Sequence, residues 1–216
     1  DGMLLRTDGR EVWARLLGRF NAYNLLSAYA AALLLGFDRD EVLRVLSTLA
    51  PVSGRFECVR AADGTTAIVD YAHTPDALEN VLRTIAELRR PGQQLFVLCG
   101  CGGDRDRTKR PEMAQIAVRY ADTAILTSDN PRHESPESIL DDMTAGLQPA
   151  DRYLRIADRA EAIRPASLLA RPGDLLLLAG KGHETYQIIG DVKHHFDARA
   201  RIGDEFDLRH TATPAH

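Results

Sequence analysis

Apolar positions set the elements of this chain, and their period changes near position 54. Residues 3–15 read as two short strands around a turn at Asp8-Gly9. Leu25, Leu26, Tyr29, Ala30, Leu33 and Leu34 then recur at helical spacing until Gly36, with Asn21 as the expected N-cap. Asp38 opens a second helix carrying Val42, Leu43, Val45 and Leu46. This helical hairpin has no strand–helix core of its own, so residues 1–51 are expected to be the C-terminal end of a domain whose body lies upstream. Ala50-Pro51-Val52-Ser53-Gly54 is the expected hinge.

Beyond Gly54, strands near 65–70, 94–100, 123–127, 152–156 and 174–179 alternate with helices near 75–90, 110–120, 135–147 and 158–170. FVLCG, TAILTS and DLLLLAG are almost continuously apolar, the pattern of parallel strands covered on both faces. The fold class is therefore α/β: an open, mostly parallel sheet with helices on both faces. A hairpin over 186–196, turned at Gly190-Asp191, and a helix over 198–209 complete a second domain of residues 52–210; residues 211–216 are expected to be a disordered tail.

Composition narrows the function. With 216 residues, 44% of them hydrophobic, the chain can bury a real core, and a formal net charge of -4 argues against a nucleic-acid binder. Cys58, Cys99 and Cys101 have neither disulfide-scaffold nor zinc spacing and are expected to be free thiols. No apolar run reaches the roughly 18 to 20 residues that span a bilayer, so a cytosolic protein without membrane contact is expected. Only Lys109, Lys181 and Lys193 among the 27 basic residues are lysine, so a single lysine carries more weight here than a single arginine.

Ligands of open parallel sheets sit where strand C-termini meet helix N-termini, and four polar clusters fall there. VDYAHTPDALE (69–79) caps a helix with Thr74 and Pro75; Asp70 and His73 are not needed for the cap and suit a ribose or phosphate contact. GCGGDRDRTKRP (100–111) joins glycines to Arg105, Arg107, Lys109 and Arg110, a composition suited to anions, although a charged solvated turn would look the same. GxxxxGK[ST] is absent here and throughout the chain. LAGKGHETY (178–186) places Lys181, His183 and Glu184 in a turn that needs only its glycines. In LTSDNPRHESP (126–136), Pro131 ends a strand and Asp or Asn makes the turn; Arg132 is surplus to it.

Taken together, GRFNAYNLLSAYAAA, SGRFE, VDYAHTPDALE, GCGGDRDRTKRPEMA, TSDNPRHESP and AGKGHE resemble the Mur ligase family, and within it the branch that adds meso-diaminopimelate; the blocks run in the family's order from about residue 18 to 208. The resemblance implies a three-domain enzyme using ATP and Mg2+, in which residues 1–51 end the central ATPase domain and the rest is the C-terminal, dinucleotide-fold domain. It implies transfer of the ATP γ-phosphate to the glutamate carboxylate of UDP-MurNAc-L-Ala-D-Glu, then attack by the amine of the incoming amino acid. The family's P-loop, central-domain carboxylates and modified lysine have no counterpart in this sequence. The main phosphate and metal ligands are thus expected outside it, and the chain alone is expected to be inactive and monomeric.

By the same resemblance, Asn24 lies near adenine, Arg55 near the nucleotide phosphates, and Asp70 and His73 at the ribose and phosphate side. Arg105, Asp129, Asn130, Arg132, Gly180 and Glu184 surround meso-diaminopimelate. At its distal end a carboxylate suits Arg105 and Arg132, an ammonium suits Asp129 and Glu184, and Asn130 can serve either. Lysine lacks only the distal carboxylate, and would leave Arg132 unpaired at about 2 to 5 kcal/mol, or roughly 30- to 5000-fold. Two other readings stay open: a stand-alone module that binds a nucleotide or anionic amino acid, and a small phosphohydrolase using Asp70 and His73.

Overall fold

A computed structural model describes residues 2–212. The chain divides into two units, the first ending at Val52 and the second beginning at Ser53. In the first, β1 (Met3–Thr7) pairs antiparallel with β2 (Arg10–Ala14). Asp8 and Gly9 both have positive φ, the geometry of a type I′ hairpin turn that matches strand twist. Helices α1 (Arg19–Leu34) and α2 (Arg39–Thr48) follow. Asn21 is not the cap: Gly18, at φ 92, holds that position, and Asn21 sits in the first turn with Nδ2 donating to Leu17 O. Asp38 does cap α2, accepting from Glu41 N at 3.0 Å. Tyr29, Val42 and Leu43 form the small core of this unit.

The second unit is a six-stranded sheet of β3 (Glu57–Arg60), β4 (Thr66–Asp70), β5 (Leu95–Cys101), β6 (Thr123–Ser128), β7 (Tyr153–Arg155) and β8 (Leu175–Ala179), in the order β3-β4-β8-β5-β6-β7. All neighbours are parallel except β3, which runs antiparallel to β4 on the edge. That edge strand is absent from the sequence-based expectation. It is four residues long and half-exposed, so it lacks the apolar run that marks the central strands.

The strand order decides where the helices lie. The chain steps from β4 to β5, β6 and β7 through α3 (Pro75–Leu88), α4 (Lys109–Tyr120) and α5 (Pro136–Thr144), then returns through α6 (Arg159–Leu169) to insert β8 between β4 and β5. Right-handed crossovers in opposite directions put helices on opposite faces. Ala67, Val69, Phe96, Leu98, Ile125, Leu176 and Leu178 accordingly pack with Ala162, Ile163 and Ala166 of α6 and Ile202 and Phe206 of α7 (Ala198–Ala212). The alternate residues Ile68, Val97, Leu126 and Leu177 are as deeply buried and point to the other face. Outside the sheet, β9 (Tyr186–Ile189) and β10 (Val192–His195) form the expected hairpin. Contrary to the expected disordered tail, α7 runs through Thr211, whose hydroxyl donates to Leu208 O; residues 213–216 lie outside the described residues.

Cys58, Cys99 and Cys101 are free. Burial pushes the thiols of Cys99 and Cys101 up to about 12, which removes them as nucleophiles at neutral pH. Among the described residues no helix is long and apolar enough to cross a membrane.

The loops leaving β5 and β6 are tied by Arg110, which is fully buried. Its guanidinium donates to both oxygens of Glu134 (2.8 and 2.9 Å), to Asp142 Oδ2 (2.7 Å) and to Gly102 O (3.1 Å). This bidentate pairing, helped by the Asp104 N–H, lowers the Glu134 carboxyl from 4.5 to about 2. A depressed carboxyl contributes stability above its unfolded value, and loses it as pH falls toward the folded one. Glu134→Gln should therefore flatten the loss of stability between about pH 4.5 and pH 2, read from denaturant midpoints across that range. A pH dependence parallel to the wild type would refute the link.

Candidate functional site at the C-terminal edge of the sheet

Lys181 organises this edge. Its side chain is fully buried, and Nζ lies 2.6 Å from Asn130 Oδ1, 3.0 Å from Glu184 Oε2 and 3.2 Å from Asp129 Oδ1. The last contact is an ion pair without hydrogen-bond alignment, and Asp129 Oδ1 is a buried acceptor lacking a donor. Asn130 also receives Ile188 N on Oδ1 (2.8 Å) and donates Nδ2 to Glu184 Oε2 (3.3 Å). Gly180 adopts φ 107, the left-handed region that favours glycine, as the chain leaves β8. Asp129, Asn130, Gly180 and Glu184 thus converge as the sequence suggests. Lys181, singled out there without a role, is the residue that joins them.

Below this cluster lies a second buried cation. Arg159 donates to Ala179 O (2.7 Å) and Ser128 O (3.3 Å), the carbonyls just before Gly180 and Asp129. Burial lowers its pKa, and the charges of Asp129 and Glu184 act against that. Neither Arg159 nor the buried state of Arg110 was legible beforehand, because arginine is common throughout the chain.

Arg132 stands at φ 51, in the left-handed region. Its N–H donates to Ile188 O (3.1 Å), and its carbonyl accepts from Gly190 N (2.8 Å). Its Nη1 donates to Gly103 O (2.8 Å) and reaches Asn130 O at 3.4 Å. Among the described residues it has no carboxylate partner. Arg105 is exposed, with a single weak contact to Asp104 O. Both arginines flank Gly102, where a Cβ would come within 3.0 Å of Arg132 Nη1 and 3.8 Å of Arg105 Cγ. Neighbouring glycines have a packing reason: a Cβ at Gly100 would lie 2.4 Å from Thr127 O, and one at Gly103 only 1.9 Å from Pro131 O. Close passage of the β6 backbone explains these glycines without an anion.

Tyr71 joins the remaining residues of this edge. The Arg55 guanidinium lies 4.8 Å from its ring centroid, the His73 ring 4.6 Å away at an edge-on angle, and its hydroxyl meets Glu184 Oε1 at 3.4 Å. Lys109 Nζ donates to His73 O. Asp70 faces inward instead: Oδ2 accepts from Phe56 N and Oδ1 from Ala72 N, both at 2.8 Å. Burial raises its pKa against these two bonds. Asp70 is thereby committed to fastening the turn that carries Arg55. Asn24 belongs to the first unit, exposed on α1, with Nδ2 donating to Asn21 Oδ1. No group of three or more His, Cys, Asp or Glu among the described residues is placed to hold a metal ion.

A mostly parallel sheet whose C-terminal edge gathers opposite charges in four loops defines an α/β domain with a candidate ligand site at that edge. Residues 54–182 match the model of the Mur ligase glutamate ligase domain, and the chain belongs to the Mur ligase family. It is 54% identical over 208 residues to the UDP-N-acetylmuramoyl-L-alanyl-D-glutamate–2,6-diaminopimelate ligase of Phocaeicola vulgatus, covering 95% of this chain and 43% of that protein. The same-named ligase of Geobacillus thermodenitrificans is 56% identical over 187 residues, 86% of this chain and 38% of the relative. A solved structure of a ligase with that name superposes with a TM-score of 0.70 at 43% identity, over 96% of this chain and 42% of the other. The chain thus spans less than half the length of these relatives.

A non-glycine residue in the left-handed region stores of order 1 kcal/mol of strain. Arg132→Gly should therefore unfold at a higher denaturant concentration than Arg132→Ala, although both lose the same guanidinium. Equal midpoints would show that the backbone at position 132 is not strained.

Proposed function

We propose that this chain is the C-terminal part of an ATP-dependent ligase that adds meso-diaminopimelate to UDP-MurNAc-L-Ala-D-Glu in peptidoglycan synthesis. Residues 1–51 end the central ATPase domain, and residues 52–210 carry the amino-acid pocket and one side of the nucleotide site. The observation that carries this reading is a pair of unlike charges at the sheet edge. Two carboxylates, Asp129 and Glu184, face the buried ammonium of Lys181, and on the same loop as Asp129 stands a guanidinium, Arg132, that has no carboxylate partner among the described residues. The distal end of diaminopimelate, an ammonium and a carboxylate on one carbon, complements that pair. The 54% identity to a ligase named for this amino acid supports the same substrate.

In the whole enzyme, ATP with Mg2+ would activate the glutamate carboxylate as an acyl phosphate. The work of this chain is to bind and orient the amine that attacks. Arg105 and Arg132 would take the distal carboxylate; Asp129 and Glu184 the ammonium. Arg55, over the Tyr71 ring, and Lys109, which donates to His73 O, offer cations for the nucleotide phosphates, with the His73 ring edge-on to Tyr71. Asp70 serves Arg55 by fixing the Phe56 turn, which favours an indirect role over ribose contact. Asn24 is assigned to adenine on family resemblance. The enzyme would work in the cytoplasm as a monomer.

Arg132 is half-buried, so losing its acceptor costs less than a fully buried charge would. With the whole protein, ATP-dependent addition of diaminopimelate should exceed addition of lysine, and no ligation, or equal use of both, would refute the assignment. Arg132→Ala should raise KM for diaminopimelate by about 10- to 150-fold, the equivalent of 1.5 to 3 kcal/mol for charged hydrogen bonds, with KM for ATP nearly unchanged. A parallel rise in both would move Arg132 out of the amino-acid pocket.

A further inference from the structure

The Asn130 side chain has one orientation open to it. Its Oδ1 receives two groups that can only donate, Lys181 Nζ at 2.6 Å and Ile188 N at 2.8 Å. The amide nitrogen is therefore the end that meets Glu184 Oε2, and its second hydrogen is the one Asn130 can offer a ligand. Asn130 cannot serve either partner, as its side-chain chemistry alone would allow; it serves an acceptor. Lys181 holds Glu184 Oε2 at the same time, and offsets one of the two carboxylate charges.

Resting on the reading of this edge as the diaminopimelate pocket, we propose that Lys181 is a positioning residue that sets amino-acid specificity. It holds Asn130 in the donor role and offsets one of the two carboxylate charges, so the site favours an ammonium accompanied by a carboxylate over a bare one. Lysine brings a bare distal ammonium. It is disfavoured at two points: Arg132 lacks its acceptor, and so does the Asn130 amide. Without Lys181, the carboxylate pair would lose its ammonium and Asn130 would lose the shorter of the two contacts on Oδ1, keeping the Ile188 N–H and Glu184 Oε2 to orient it. Both changes favour a bare ammonium over a zwitterionic end.

The test uses the whole protein with diaminopimelate and lysine as competing substrates. Lys181→Met should raise KM for diaminopimelate about tenfold or more and lower the preference for diaminopimelate over lysine by a similar factor, with KM for ATP unchanged. Lys181→Gln, which restores a donor but not the charge, should recover part of that preference. A Lys181→Met enzyme that keeps its melting temperature and its preference would overturn the proposal, as would a Lys181→Gln enzyme no more selective than Lys181→Met. Loss of folding in both variants would also overturn it, because Lys181 would then belong to the core and not to the pocket. A wild-type enzyme that fails to use diaminopimelate refutes the substrate assignment itself and is separable from these results.

Discussion

A lysine ammonium without access to water has to be neutralised and hydrogen-bonded by protein, since the effective penalty of burying one ion is several kcal/mol. Lys181 imposes that requirement on the loop after β8, and the loop after β6 meets it. These strands are not neighbours, because β5 lies between them. Joining their loops requires chain to pass over the end of β5, and the exit of β5 is accordingly glycine at 100, 102 and 103. One buried charge thus accounts for an acidic and amide pair on one loop, a carboxylate three residues beyond the lysine, and the missing side chains between them.

The other two buried cations extend this logic in different chemical terms. Arg110 meets carboxylates bidentately and locks the β5 and β6 loops side by side. Arg159 donates to carbonyls, at the last residues of β6 and β8, where the strand ladders end. A planar guanidinium suits both tasks because its donors lie in a fixed fork, whereas Lys181 concentrates three donors at one point and can gather three partners around it. The cations fix the edge from beneath, from the side and from within. Asp129 and Asn130 are then held on both sides, with Asp129 Oδ1 left as the acceptor without a donor.

How much of this could be read in the sequence follows from which residues are rare and which patterns are long. The apolar strands β5, β6 and β8 were legible to within two residues because burial on both faces requires nearly unbroken apolar runs. The edge strand β3 was not, being short and polar on one side. Asn21 misled because it has the right side chain for a cap, but the helix begins two residues earlier, after Gly18, whose φ of 92 favours glycine. Lys181 stood out in a chain nearly devoid of lysine, but its burial and its grip on Asn130 are tertiary facts. Asp70 shows the converse. Its place at a strand end suggested a ligand contact, and the fold spends both oxygens on backbone N–H groups.

Arg132 joins these strands of argument at the backbone level. A left-handed arginine persists only where its surroundings over-determine it, and the hairpin supplies that restraint. β9 and β10 pair with each other and with no strand of the main sheet. The chain at Arg132 bridges to Ile189 in parallel, with Ile188 O and Gly190 N holding its amide and carbonyl. Gln187 reaches back to Ser128 Oγ and Asp129 O, while His133 lies between Asp104 and Asp191, the latter in the hairpin turn. The hairpin therefore acts as a splint for residues 128–133. It holds the strained turn so that an arginine, and not the glycine or asparagine that the backbone would prefer, can stand beside the carboxylates.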